Sequence, residues 1–277
     1  MNPVEKAIWF IEGHFAEDIT LDDIAASAGI SRFYMSRAFA VFTGRSVSGY
    51  LRGRRLTEAA KILSKGAPDI LCVALGAGYN SHEAFTRAFR DQFGFTPEQV
   101  RTQGHVENIP MVEALKMDES FVVNLETPRT VEGKAMLIAG IGARYNCETS
   151  KAIPSQWQQF NAYAGNVSGQ VGDIYYGVCC NSDEENNFDY IAGVEVTDFS
   201  DLPDEFSRVR IPAQRYLVFT HRDHISSIRS TMMTIWGKYL PRSRHEVADA
   251  PNFERYGPEF DPRTGNGGME IWIPIKN

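Results

Sequence analysis

The feature that most constrains this chain is a phrase that occurs twice, fifty residues apart. Ser36-Arg37-Ala38-Phe39 runs on to Gly44, and Thr86-Arg87-Ala88-Phe89 runs on to Gly94. A serine, Ser31 or Ser81, stands five residues ahead of each copy. Repetition at a fixed offset predicts a duplicated supersecondary unit. Serine is a favoured helix N-cap. Behind Ser31, Met35, Ala38, Phe39 and Phe42 recur at helical spacing, and Phe85, Ala88 and Phe89 do so behind Ser81. The opposite face carries Arg32, Phe33, Ser36, Arg37 and Ala40 in the first copy. In the second it carries His82, Glu83, Thr86, Arg87 and Arg90. Each of these helices follows a short apolar helix and a glycine-bearing turn, Gly29-Ile30 or Gly78-Tyr79-Asn80. That is the helix-turn-helix pattern, whose second helix offers its outer face to base edges in the major groove.

Candidate DNA-binding residues are therefore Arg32, Phe33, Ser36, Arg37, His82, Glu83, Thr86, Arg87 and Arg90. A long helix over 46–64 separates the two units. It is about 28 Å long at 1.5 Å per residue, near the ~34 Å between successive major grooves on one side of a duplex. Arg52, Arg54 and Arg55 on it are candidate phosphate contacts, with ordinary solvated arginines as the alternative.

Residues 21–101 resemble the AraC/XylS DNA-binding domain. The second unit carries the resemblance most specifically, through Gly78-Tyr79-Asn80-Ser81, Phe85-Thr86-Arg87-Ala88-Phe89 and Gly94-Phe95-Thr96-Pro97.

Charge divides the chain. The whole carries −7, yet residues 1–105 are net +1 and residues 106–277 net −8. The first part is not strongly basic, so affinity for DNA depends on where its arginines sit and is salt-sensitive. No apolar run approaches the ~20 residues of a membrane span, and the N-terminus lacks a signal-peptide layout. A cytoplasmic protein, nucleoid-associated when on DNA, is expected. Cys72, Cys147, Cys179 and Cys180 lack metal spacing, and the vicinal pair reads as strand filler. No metal or cofactor is expected. No GxSxG or HExxH motif occurs, and Gly140-Ile141-Gly142 lacks the third glycine of a nucleotide loop. His221-Arg222-Asp223-His224 reads as a solvated strand-end loop. No catalytic residue is assigned.

The expected domains are a DNA-binding half over 1–105, a linker over 106–120 and a second domain over 121–277. From residue 121 the pattern changes to short alternating strands, at 121–125, 134–141, 174–180, 188–196, 215–220, 253–256 and 269–275. Helices are expected at 153–164 and 226–240. The predicted fold is an all-α double helix-turn-helix followed by an α+β antiparallel-sheet domain. That second domain holds two strand-helix-strand-strand repeats, with both helices on one face.

The second half resembles the gyrase-inhibitor-like (GyrI-like) effector-binding domain. The resemblance rests on Ala192-Gly193-Val194-Glu195-Val196, Ile211-Pro212-Ala213, Tyr216, Leu240-Pro241, Phe253-Glu254-x-Tyr256 and Glu270-Ile271-Trp272-Ile273-Pro274-Ile275. DNA-binding half first is the Rob-like order within AraC-type regulators. The resemblance implies a pocket for amphipathic, often cationic compounds. On the last strand, Ile271, Ile273 and Ile275 should pack under the helices, leaving Glu270 and Trp272 on the other face. Glu254 and Tyr256 share a face. Tyr175, Trp157 and Trp236 are candidate walls of an aromatic cleft with a carboxylate, suited to a lipophilic cation. Glu270 is the first candidate for the pocket acid, and Glu254 the second.

The expected function is a sequence-specific transcription regulator whose C-terminal domain binds a small effector. Double-stranded DNA and RNA polymerase are the expected macromolecular partners, with no membrane. A ligand-sequestering protein tethered to DNA, or a small hydrolase in the second half, is the alternative.

Overall fold

The structure, a computed structural model, describes residues 2–67, 69–115, 123–146, 149–183, 185 and 187–276. The chain divides into two units, Met1–Met35 with Arg45–Met117, and Ser36–Gly44 with Asp118–Asn277.

Seven α-helices come first among the described residues. They are α1 (Pro3–His14), α2 (Leu21–Ala28), α3 (Arg32–Thr43), α4 (Val47–Ser64), α5 (Ile70–Gly76), α6 (His82–Phe93) and α7 (Pro97–Gln103). The fifty-residue repeat is a repeat of local geometry. Ser31 Oγ accepts from the Tyr34 amide at 3.2 Å, and Ser81 Oγ from the Ala84 amide at 3.1 Å. Gly44 and Gly94 end the two helices at φ +67° and +76°, where a side chain would be strained. Leu56 and Leu63 of α4, Phe85, Phe89 and Phe93 of α6, and Val100 of α7 share one core. No helix among the described residues is long and apolar enough to cross a membrane.

The predicted linker is partly docked. Ile109 and Val112 are buried. The Val112 amide donates to Thr57 Oγ1 at 2.9 Å, and the Leu115 amide to Tyr50 Oη at 3.0 Å. Gly53 makes this possible, because a Cβ there would stand 2.8 Å from a Val112 methyl. The strap 109–115 thus belongs to the first unit. Its apolar residues are few but spaced to reach α4.

The second unit is built on one eight-stranded antiparallel sheet. Its strands are β1 (Arg129–Gly133), β2 (Met136–Tyr145), β3 (Gln170–Cys180), β4 (Phe188–Val196), β5 (Phe206–Ile211), β6 (Gln214–His221), β7 (Asn252–Tyr256) and β8 (Met269–Ile275). They lie in the order β1-β6-β8-β7-β3-β4-β2-β5. Helix α8 (Ile153–Phe160) follows β2, and α9 (Ile228–Thr234) follows β6. Strand-helix-strand-strand therefore occurs twice, each time preceded by one further strand. Those two, β1 and β5, are the strands the sequence reading did not anticipate. The strand predicted at 121–125 is absent over 123–125, and residues 121–122 lie outside the described residues. The helix predicted at 226–240 is present as a continuous helical run over 228–242, with a π-helical turn inside it. After α9 comes a π-helical turn, Ile235–Tyr239, and then α10, Leu240–Arg242.

Register fixes the two faces of the sheet. Glu254 is opposite Gly177 on one side and Ile271 on the other, and Arg255 is opposite Glu270. Residues directly opposite share a face. Glu254, Tyr256, Ile271 and Ile273 therefore lie on one face, and Glu270, Trp272, Phe253 and Arg255 on the other. Both helices cover the Glu254 face. Gln156 of α8 donates to the carbonyls of Ile141 on β2 and Tyr190 on β4, at 2.6 and 2.9 Å. On α9, Thr231 Oγ1 hydrogen-bonds His221 Nδ1 of β6 at 2.8 Å. Strands β8, β7 and β3 run between those two attachments, so Glu254 stands on the floor between the helices.

Candidate functional site

The two reading helices share a sequence pattern but not an environment. On α6, Phe85, Phe89 and Phe93 are buried, which turns His82, Glu83, Arg87 and Arg90 out to solvent; Thr86 is half-buried. On α3, Arg32 is exposed with Nε 3.6 Å from Asp22, and Phe33 is half-buried. Ser36 is buried and Arg37 is half-buried. The expectation that Ser36 and Arg37 are as open as Thr86 and Arg87 is not met. The segment Ser36–Gly44 groups with the second unit, and the Arg37 guanidinium lies 5.9 Å from the centroid of the Phe188 ring.

The three arginines of α4 also separate. Arg52 is exposed. Arg55 is tied down, donating from Nε to the Phe15 carbonyl at 2.7 Å and from Nη2 to the Glu17 carbonyl at 2.5 Å. Arg54 is buried and donates to both Glu12 oxygens and to the Val112 carbonyl. Burial works to raise the Glu12 pKa, but the hydrogen bonds from Arg54 and Tyr50 outweigh it and hold the carboxyl low. Arg54 and Arg55 are thus bracing residues, and Arg52 is the α4 arginine left exposed.

On the helix-covered face of the sheet, side chains converge on Glu254. Its Oε2 accepts from Tyr190 Oη at 2.7 Å and from Tyr256 Oη at 2.9 Å. Trp157 Nε1 of α8 donates to Tyr190 Oη at 3.0 Å, orienting that phenol toward the acid. The Trp157 and Tyr256 rings meet edge-on at 5.2 Å, and Phe260 lies 4.7 Å beyond Tyr256. No lysine or arginine among the described residues forms an ion pair with Glu254. Burial raises its pKa, and the two phenol donors only partly offset that. Gly177 supplies the necessary space. A Cβ there would fall 2.1 Å from Tyr190 Oη and 2.7 Å from Glu254 Oε2. Cys179, two residues along β3, borders the same face. Burial pushes its thiol up to about 12; Arg37 pulls against this and Glu254 adds to it.

Glu270, ranked first from the sequence, has a different setting. It is on the other face, ion-paired with Arg129 and with Arg255 at 3.3 Å, and accepts from Trp272 Nε1 at 3.0 Å. Burial works to raise its pKa, but the Arg129 and Trp272 hydrogen bonds and the two positive charges hold it below the usual value. Trp272 stacks on Phe253 at 5.2 Å. Neither residue reaches Glu254. Tyr175 stands on the Glu254 face, its ring 6.3 Å from Phe160. Trp236 is buried in the π-helical turn.

Comparison with known proteins matches residues 126–276 to the GyrI-like small molecule binding domain. The chain belongs to the GyrI-like family. Residues 24–103 match a helix-turn-helix domain. The chain therefore joins an AraC-type DNA-binding half to a small-molecule-binding half, the composition of a ligand-responsive transcription regulator. It is similar to the transcriptional regulator Rob of Salmonella typhimurium, at 27% identity over 97% of this chain and 96% of that one. It is similar to the transcriptional regulator BrlR of Pseudomonas aeruginosa, at 28% identity over 53% of this chain and 54% of that one. It is similar to the probable transcription factor PqrA of Proteus vulgaris, at 41% identity over 32% of this chain and 72% of that one.

Within the GyrI-like half, the sequence reading missed Tyr190, the residue that links Trp157 to Glu254. The signal was present, since Phe188, Tyr190, Ala192, Val194 and Val196 alternate onto one face. A cavity of about 390 Å³ on the other face is lined by Arg144, Asp189 and Ser207. Of its two arginines, Arg144 is already paired with Asp183 and Asp189, and Arg208 Nη1 donates to the Phe206 carbonyl at 3.3 Å.

Proposed function

We propose that the GyrI-like half binds a lipophilic cation at Glu254, and that its occupancy governs DNA binding and transcription by the helix-turn-helix half. The observation that carries this reading is the Glu254 carboxylate itself. It is walled by Trp157, Tyr256 and Phe260, held by two phenols and paired with no basic side chain among the described residues. A buried carboxylate without a counter-cation is costly, and an aromatic cation that brings its own charge relieves that cost while stacking on the rings. The similarity to Rob along nearly the whole chain supports a regulatory, non-enzymatic role. RNA polymerase is the proposed partner at the promoter, and the cytoplasm the proposed compartment.

On the DNA side, Arg87 is the proposed principal reader, with His82, Glu83, Thr86 and Arg90 beside it and Arg32, Phe33 and Arg52 in support. A duplex titration at two salt concentrations tests it. If Arg87 reads guanine, Arg87→Ala costs about 1–3 kcal/mol on a selected duplex and little on a scrambled one. If it holds phosphate, both duplexes weaken together and the salt slope flattens. Unchanged affinity for both removes Arg87 from the interface.

The ligand reading is tested with two isosteres of opposite charge, tetraphenylphosphonium and tetraphenylborate, titrated onto the full chain. Phosphonium binding that drops at least tenfold in Glu254→Gln, with no borate binding, is the expected result. Equal binding of both ions, or an unaffected Glu254→Gln, overturns it.

A further inference from the structure

We propose that the cation held at Glu254 carries its charge on an N–H group. The ligand class is a protonated secondary or tertiary aryl-alkyl amine, whose ammonium hydrogen is donated to Glu254 Oε1. The inference deepens the reading of Glu254 as the cation site and rests on it.

The two carboxylate oxygens of Glu254 are not equivalent. Oε2 accepts from Tyr190 Oη at 2.7 Å and from Tyr256 Oη at 2.9 Å. An ionised carboxylate has about two acceptor positions per oxygen, so Oε2 is filled. Strand β3 also backs it, since a Cβ at Gly177 would stand 2.7 Å away. Oε1 takes no hydrogen bond from any described residue. Nor is it sealed in the way that the buried, unpaired Gln156 Oε1 is, because Glu254 stays partly exposed. The acid thus presents one empty acceptor oxygen to whatever enters.

The donors in contact with the acid and its phenols are already committed. Tyr190 and Tyr256 give their hydroxyl hydrogens to Oε2, and Trp157 Nε1 donates to Tyr190 Oη at 3.0 Å. Beside Trp157 on α8, Gln156 gives its amide nitrogen to the carbonyls of Ile141 and Tyr190 and leaves its own oxygen unmet. The polar groups around the carboxylate therefore call for a donor and supply none.

Positive charge alone does not meet that demand. A quaternary ion wraps its charge in carbon. It can stack on Trp157 and Tyr256, yet it displaces water from Oε1 without replacing the hydrogen bond. An ammonium N–H reaches the same oxygen through a charge-assisted bond of about 2.7–2.9 Å. A guanidinium is matched less well, because its forked N–H groups grip two oxygens side by side, and here one of the two is filled.

The test compares two isomeric cations on the full chain near neutral pH. Dibenzylethylammonium has one N–H, and dibenzyldimethylammonium has none. Atoms, charge and aromatic rings are the same, so the N–H is what differs. The N–H ion should bind the wild type about tenfold or more tightly. In Glu254→Gln both should bind weakly and the preference should fall to about twofold or less. Equal affinity in the wild type overturns the N–H requirement, and so does a preference that survives in Glu254→Gln. Tetraphenylphosphonium, titrated alongside, separates this failure from that of the site. If it binds through Glu254 while the two ammonium ions bind equally or not at all, the cation site stands and the N–H inference falls. If none of the three cations binds, both fall together.

Discussion

Glu254 and Glu270 sit on adjacent strands, one pair apart in register, and face opposite ways. Glu270 is met by Arg129, Arg255 and the Trp272 indole. Glu254 is met by two phenols and an aromatic wall. The first arrangement satisfies a charge with charges and lowers its pKa; the second leaves the charge electrostatically underserved and raises it. Residue type therefore says little about which acid binds a ligand. The partners decide, and a shifted, unpaired acid among aromatics is the one poised to accept a cation.

Exchanging each acid for its amide sharpens this contrast most. Glu254→Gln should weaken tetraphenylphosphonium binding tenfold or more, and Glu270→Gln should change it by less than about twofold. An equal loss in both would dissolve the distinction between the faces. Stability should move the opposite way. Glu270→Gln strands Arg129 and Arg255. Arg129 is half exposed, so screening discounts the loss to about 1–2 kcal/mol, read by denaturant unfolding.

Gly177→Ala should loosen phosphonium binding about fivefold, by pushing Tyr190 and Glu254 apart without touching Glu270. Unchanged affinity would mean that the Tyr190 hydrogen bond is dispensable.

The smallest effect is the pH dependence, and its sign differs between the acids. The Glu254 pKa is raised on folding, so the stability of its neutral form is lost as pH climbs past the ordinary carboxylate value. Glu254→Gln should therefore melt about 2–4 °C above the ligand-free wild type near neutrality, with the gain vanishing in acid. The Glu270 pKa is lowered, so its stabilisation is present above the ordinary value and is lost as pH falls through the depressed one. A pH series of melting temperatures for both amides checks both signs. Phosphonium affinity should also fall as Glu254 protonates.

The helical half was largely legible, because the serine caps, glycine stops and aromatic stripes of α3 and α6 are local signals. The two strands that escaped notice, β1 and β5, are the two edges of the sheet. Their side chains are mostly polar and half their backbone faces no neighbour, so they carry little apolar alternation. Period-two reasoning correctly grouped Glu254 with Tyr256, Glu270 with Trp272, and the β8 isoleucines under the helices. It could not supply the β7–β8 register, which puts Glu254 rather than Glu270 with those isoleucines. For Arg54 the sequence reading weighed a phosphate contact against a solvated arginine and missed burial on Glu12 and Val112, although the residue sits one helical turn from the buried Tyr50. Nothing local distinguishes Arg37 from Arg87, yet the first is half-buried and the second exposed.

The way Val112 nests against Gly53 has a practical corollary for dissecting the protein. A DNA-binding fragment cut at residue 105 would strip off the chain that caps Thr57 and Tyr50, leaving Arg54 without one of its acceptors and a bare apolar stripe along α4. Extending the fragment through residue 115 restores all of these contacts, so the longer piece should stay monomeric and cooperative where the shorter one aggregates.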